Sequence, residues 1–134
     1  MGKLKVIIEC SENNYSAYIE NLDGIVATGS TIAEIKSNML RAIEAYVDAC
    51  HEMNCEVPDE LEGDYTLEFK TDVKSLLNLY CGIFTKSGLE RLTGINQKQL
   101  WHYANGKSLP RKAQVQKIED ALHRLGTELM SVHL

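Results

Sequence analysis

No apolar run in this 134-residue chain approaches the ~20 residues of a membrane-spanning helix. The opening MGKLKVIIEC is charged and strand-like, without the long apolar stretch of a signal peptide, so a cytoplasmic protein is the expectation. Equally missing are a Gly-x-Ser-x-Gly elbow, a glycine-rich phosphate loop and a persuasively spaced Cys-His pair, which leaves the common nucleophilic and phosphate-handling enzymes without an anchor. Cysteines are few: Cys10, Cys50, Cys55 and Cys81. The segment Cys50-His51-Glu52-Met53-Asn54-Cys55 holds ligand types, but no second Cys-x-x-Cys or His-x-x-x-His knuckle completes a zinc site, and the thiols read as reduced. No metal and no cofactor is expected. Nor does a linker rich in Gly, Pro or Ser, an internal repeat or a low-complexity tract interrupt the chain, so any two domains should be closely coupled.

Charge, by contrast, is plentiful and unevenly spread. Residues 1–71 hold five Lys and Arg against fourteen Asp and Glu, net minus nine; residues 72–134 hold nine against five, net plus four. Such a split suggests two partners of opposite sign, although solvated surface alone would look the same.

In the acidic half, LKVIIEC (4–10) is a β-branched run suited to a buried strand, and Glu12-Asn13-Asn14 offers a turn before YSAYIE alternates as its hairpin mate. Asp23-Gly24 predicts a second turn and IVATG a third strand. Thr31 with Glu34 fits a capping box, behind which Ile35, Met39, Ile43, Tyr46, Val47 and Cys50 form one helical stripe. The acidic stretch NCEVPDELEG (54–63), with Pro58 and Gly63, should be a loop. DYTLEFKT then alternates strictly, Tyr65, Leu67 and Phe69 to one side, as a half-buried strand returning to the sheet does.

The basic half contains LERLTGINQKQLWHYANGKSLP, residues 89–110, punctuated as helix, tight turn and helix. Gly94 suits the left-handed position past a helix end, Ile95 plugs the corner, and Asn96 opens a second helix with Gln99 as its capping partner. Gly106 and Pro110 close it. Leu89, Leu92, Ile95, Leu100 and Tyr103 form the shared inside, leaving Gln97, Lys98, Gln99 and His102 outward. Amides and cations there are what base edges and phosphates require. Trp101 can lie over a sugar-phosphate backbone or pack on a dimer mate, and Lys107, Arg111 and Lys112 suit phosphate contacts that position without reading sequence. From Pro110 a last helix is expected, striped with Val115, Ile118, Leu122, Leu125 and Leu129, with Gly126 as its fraying point.

Residues 89–110, together with YSAYIENLDGIVATGSTIAEIKSNMLRAIEAYV (15–47), resemble the HicB family of antitoxins in its form with a C-terminal Xre or lambda-repressor-like helix-turn-helix domain. The two segments cover 55 of the 134 residues, and the likeness departs from the Xre pattern at Glu90, where a small alanine is common, and at Ala104-Asn105 before Gly106. It implies an α+β protein: an antiparallel βββαβ domain of partial ribonuclease-H-like type over 1–71, then an all-α helix-turn-helix domain over 72–134. It further implies a non-catalytic antitoxin that neutralises a HicA-type, messenger-RNA-cleaving toxin and represses its own operon as a homodimer or homotetramer on operator DNA. Glu20, Asp23, Asp59, Glu60 and Glu62 are the expected toxin-facing residues. Two other readings stay open. One is a helix-turn-helix regulator whose N-terminal domain oligomerises or senses a ligand; the other is a metal-dependent nuclease, which would need convergent carboxylates such as Glu9, Glu20 and Asp23.

Overall fold

The computed structural model describes residues 2–10 and 14–134, and the chain divides into two compact units, 1–72 and 73–134. The fold is α+β: a sheet with one long helix, then a run of helices. Among the described residues no helix is long and apolar enough to cross a membrane.

The first unit contains β1 (Gly2–Cys10), β2 (Tyr15–Ile19), β3 (Leu22–Gly29), α1 (Ile32–Glu52) and β4 (Tyr65–Thr71), with sheet order β3-β2-β1-β4. Of the turn expected at Glu12-Asn13-Asn14, Glu12 and Asn13 lie outside the described residues. Period-two alternation along β1 buries Leu4, Val6 and Ile8, and β2 and β3 add Ala17, Ile19, Ile25 and Ala27 to the same face. The α1 stripe closes over it with Ile35, Met39 and Ile43 fully buried, Cys50 at its end, and Tyr46 and Val47 half-buried. Thr31 caps α1 by accepting from the Glu34 backbone N–H at 3.1 Å, and the Glu34 carboxylate accepts from the Ser30 hydroxyl. Gly29 is needed where α1 meets the sheet: a Cβ there would sit 3.0 Å from the Ile35 side chain and 3.1 Å from its backbone nitrogen.

Two expectations for this unit are corrected. The sheet is mixed, because β4 pairs with β1 in parallel, Gly2 opposite Tyr65 through Ile8 opposite Thr71. The cause is α1, whose 21 residues span roughly 30 Å and carry the chain back along the sheet. The strand after that crossover runs in the direction of β3, and β3 runs with β1 because two antiparallel pairings separate them. The second reversal also falls elsewhere than expected. It lies at Glu20-Asn21, with Asn21 left-handed at φ 67°, while Asp23 and Gly24 sit inside β3. There the register jumps from Tyr18 opposite Val26 to Ile19 opposite Leu22. Leu22 and Ile25 are three residues apart yet both turn inward, which a regular pleat forbids; the bulge absorbs the extra residue, with Gly24 at φ 88°.

The second unit contains α2 (Val73–Leu79), α3 (Lys86–Thr93), α4 (Gln97–Ala104) and α5 (Lys112–Met130). Its core joins Val73 and Leu77 of α2, Leu89 of α3, the corner residue Ile95, Leu100, Tyr103 and Ala104 of α4, and Ile118 of α5, with Leu76, Phe84, Leu92 and Leu122 packed on its margin. Asn78 ties α2 to the end of α4 by donating to the Ala104 carbonyl at 2.9 Å. The last helix starts two residues later than expected, with Arg111 at its cap, and it passes through Gly126 without interruption to Met130. Gly126 is exposed, and a Cβ added to it would meet nothing within 4 Å, so packing neither requires nor opposes a glycine there.

Candidate nucleic-acid interface

The α3–α4 pair is held in a fixed relation by its turn. Thr85 caps α3 by accepting from the Gly88 N–H, and Gly94 ends it in the left-handed conformation at φ 77°, its N–H donating to the Glu90 carbonyl at 2.8 Å. Thr93 donates its hydroxyl to the Leu89 carbonyl and accepts from the Ile95 N–H, so the corner residue enters the core with its backbone satisfied. A corner bonded at each of these points presents α4 as a rigid rod.

Asn96 caps α4 by accepting from the Lys98 N–H at 2.8 Å. The reciprocal capping contact expected from Gln99 does not form, since Gln99 is half-buried and its Nε2 donates to Ser108 Oγ at 3.0 Å. Glu90 of α3 serves that end of the helix instead, accepting from the Gln97 backbone N–H at 3.3 Å and from Gln97 Nε2 at 3.4 Å. Helix periodicity buries Leu100, Tyr103 and Ala104, and it turns Gln97, Lys98, Trp101 and Asn105 outward, with His102 half-buried beside them.

Trp101 is 44% exposed, an unusual position for an indole that no core requires. Lys107 Nζ stands 4.5 Å from its ring centroid and the His102 ring meets it edge-on at 5.5 Å, so a cation is held over an aromatic surface at the rim of α4. Arg111 and Lys112 are exposed at the start of α5. Sequence reading missed Lys74, which reaches from α2 to lie against Gly106; a Cβ on Gly106 would meet its Nζ at 3.4 Å. It missed the role of Glu90 as well, for which the only signal was a carboxylate where a small residue is usual.

In the first unit, the expected acidic residues are all exposed, and the strand register brings them to one end of the sheet. Glu20 follows β2 and Asp23 lies in the first residues of β3, while Asp59 and Glu60 lie in the 3-10 turn Asp59–Leu61 and Glu62 directly after it, shortly before β4 begins. That end is where β1 and β4 start and β2 finishes, as the Gly2 N–H to Asp64 carbonyl and Glu20 N–H to Lys5 carbonyl bonds both record. Leu61 is buried and anchors the turn. Lys5 offsets Glu20 through an exposed pair at 3.8 Å. On the sheet face, partial burial first and then the Glu9 and Glu20 charges hold the Tyr18 phenol above its ordinary value, so it remains a neutral donor, at 3.5 Å from Glu9 Oε1. Glu9 lies apart from Glu20 and Asp23, because it pairs with Ser16 at the far end of β1. Among the described residues no three His, Cys, Asp or Glu side chains form a metal-ligand group.

No family model, curated protein or solved structure matches the chain.

Proposed function

We propose that the chain is an antitoxin-type autoregulator of the HicB kind, in which residues 1–72 mask a small messenger-RNA-cleaving toxin and residues 73–134 bind operator DNA through α3 and α4 as a helix-turn-helix. The observation that carries the DNA half is the outward face of α4: Gln97, Lys98 and Trp101 project from a helix capped and packed on its other side, with Lys107 over the Trp101 ring and Arg111 and Lys112 exposed at the start of α5. Charge supports the division. Residues 73–134 carry nine Lys and Arg against four Asp and Glu, net plus five, and residues 1–72 carry five against fifteen, net minus ten.

The test is a mobility shift on the duplex upstream of the chain's own reading frame, against random duplex of the same length. Preference for the upstream duplex is expected, and equal binding to both would end the proposal. In the same assay Gln97→Ala should lose about 1 to 3 kcal/mol of sequence preference, because it removes a base-edge contact. Lys112→Ala should weaken binding to every duplex alike, because phosphate contacts carry no sequence information.

Reading two half-sites requires at least a dimer, with paired units about 34–36 Å apart. The end of α5 supports pairing with a second copy. Leu125 is half-buried, and Leu129 at 59% and Met130 at 84% exposure follow on the helix, with Val132 and Leu134 exposed after it. Apolar residues in succession past the core are what an interface uses. Leu129→Glu should keep the helical circular dichroism signal and halve the mass seen by light scattering. A folded variant of unchanged mass moves the interface elsewhere.

A further inference from the structure

Gln97 is held at two points by a single carboxylate, and this decides which end of its amide faces outward. Glu90 Oε1 accepts from the Gln97 backbone N–H and Oε2 accepts from Gln97 Nε2. A carboxylate can only accept, so the nitrogen end of the amide must face Glu90 and the carbonyl oxygen is the end left to project. An unrestrained glutamine has no such bias, since rotation about its last bond exchanges donor for acceptor at little cost.

The same carboxylate changes the end of the helix. The first N–H groups of a helix and its positive dipole end form a natural phosphate site. Here Asn96 and Glu90 take two of those N–H groups, and the Glu90 charge would repel a phosphate oxygen at that spot. The start of α4 is thus built to face a base edge and not the backbone.

We infer that Glu90 is a specificity-determining residue: by fixing the orientation of the Gln97 amide, it restricts the base opposite Gln97 to one that carries an exocyclic amino group. This rests on the proposal that α4 enters a major groove. In that groove the amino donors are adenine N6 and cytosine N4, whereas guanine O6 and thymine O4 are acceptors that oppose the Gln97 carbonyl. The second hydrogen on Gln97 Nε2 remains for adenine N7, so adenine ranks above cytosine, and guanine and thymine rank last.

The test uses the full chain and a pool of duplexes with a randomised core, from which the wild type, Glu90→Gln and Gln97→Ala each select bound sequences. Glu90→Gln keeps the shape and a carbonyl for the Gln97 backbone N–H, so it preserves the cap, yet its own amide can donate as well as accept and frees Gln97 to turn over. Wild type should enrich adenine or cytosine about tenfold over guanine and thymine at one position in each half-site. Glu90→Gln and Gln97→Ala should both reduce that restriction to under about threefold while leaving the other positions as they were. Selection by Glu90→Gln of the wild-type sequence at every position, or selection by the wild type of guanine or thymine at the position that Gln97→Ala erases, overturns the inference and leaves DNA reading intact. A wild type that enriches nothing overturns both.

Discussion

Leu100→Ala should cost residues 73–134 about 2 to 5 kcal/mol, most of the stability a unit of that size holds. Leu100 is fully buried at the centre of a core assembled from α2, α3, α4 and α5, where Leu89, Ile95, Tyr103 and Ile118 close around it. Removing three carbons leaves a cavity that helices pinned at Gly94 and at Asn78 can collapse only in part. The chain supplies its own reporter, because Trp101 is its single tryptophan and neighbours the altered position. Urea titration followed by indole fluorescence should show a midpoint displaced far toward zero, with binding to the upstream duplex lost in parallel. Leu100→Met, which conserves volume, should cost less than about 1.5 kcal/mol. An unchanged midpoint in Leu100→Ala would mean that the packing around α4 does not hold this unit together.

The second large effect is on growth. Residues 1–72, coexpressed with the product of a neighbouring toxin-like reading frame, should be sufficient to restore growth, because the proposed masking surface lies wholly within the sheet unit. A toxin that grips RNA presents a basic surface, and under the proposed function the end of the sheet with Glu20, Asp23, Asp59, Glu60 and Glu62 would be its electrostatic complement. Rim charges govern encounter more than residence, so Asp59→Asn, Glu60→Gln and Glu62→Gln combined should slow association about tenfold at low salt, with the difference shrinking as salt rises. Stopped-flow mixing across a salt series measures it. If the fragment is folded by circular dichroism and neither binds nor protects, the proposed division between the two units is wrong.

Local chemistry was legible in the residues where one side chain answers one backbone need. Thr31 and Asn96 sit at caps because their oxygens accept from the nearby N–H groups, Gly94 sits where φ is positive, and the 35-39-43 stripe faces the sheet. What the sequence could not disclose depended on partners far along the chain. DYTLEFKT alternates identically in a parallel or an antiparallel ladder, so its direction followed only from the length and course of α1. Asp23-Gly24 has the chemistry of a turn and of a bulge alike, and the choice fell to Leu22 and Ile25 both needing the inner face. Gln99 satisfied a capping pattern, yet Ser108 claimed its amide from beyond the end of the helix. Glu90 looked like a departure from a pattern until its two contacts with Gln97 were in view.

The parallel ladder between β1 and β4 has a consequence for the order in which the chain can fold. Ile8 meets Thr71 through both the strand pairing and the Thr71 hydroxyl, which donates to the Ile8 carbonyl at 3.0 Å, so the sheet closes only after nearly the whole first unit exists. Hairpins and single helices form from neighbours within microseconds, whereas a pairing of such separation must first meet the entropy of closing the intervening loop. Until β4 arrives, β1 is an edge strand carrying Leu4, Val6 and Ile8, a template for adhesion to other chains. During synthesis that exposure persists until residue 71 has emerged, and in a chain cut before Tyr65 it is permanent. Truncations of the first unit should accordingly be recovered as aggregate, and in refolding the sheet should form more slowly than the helices of residues 73–134.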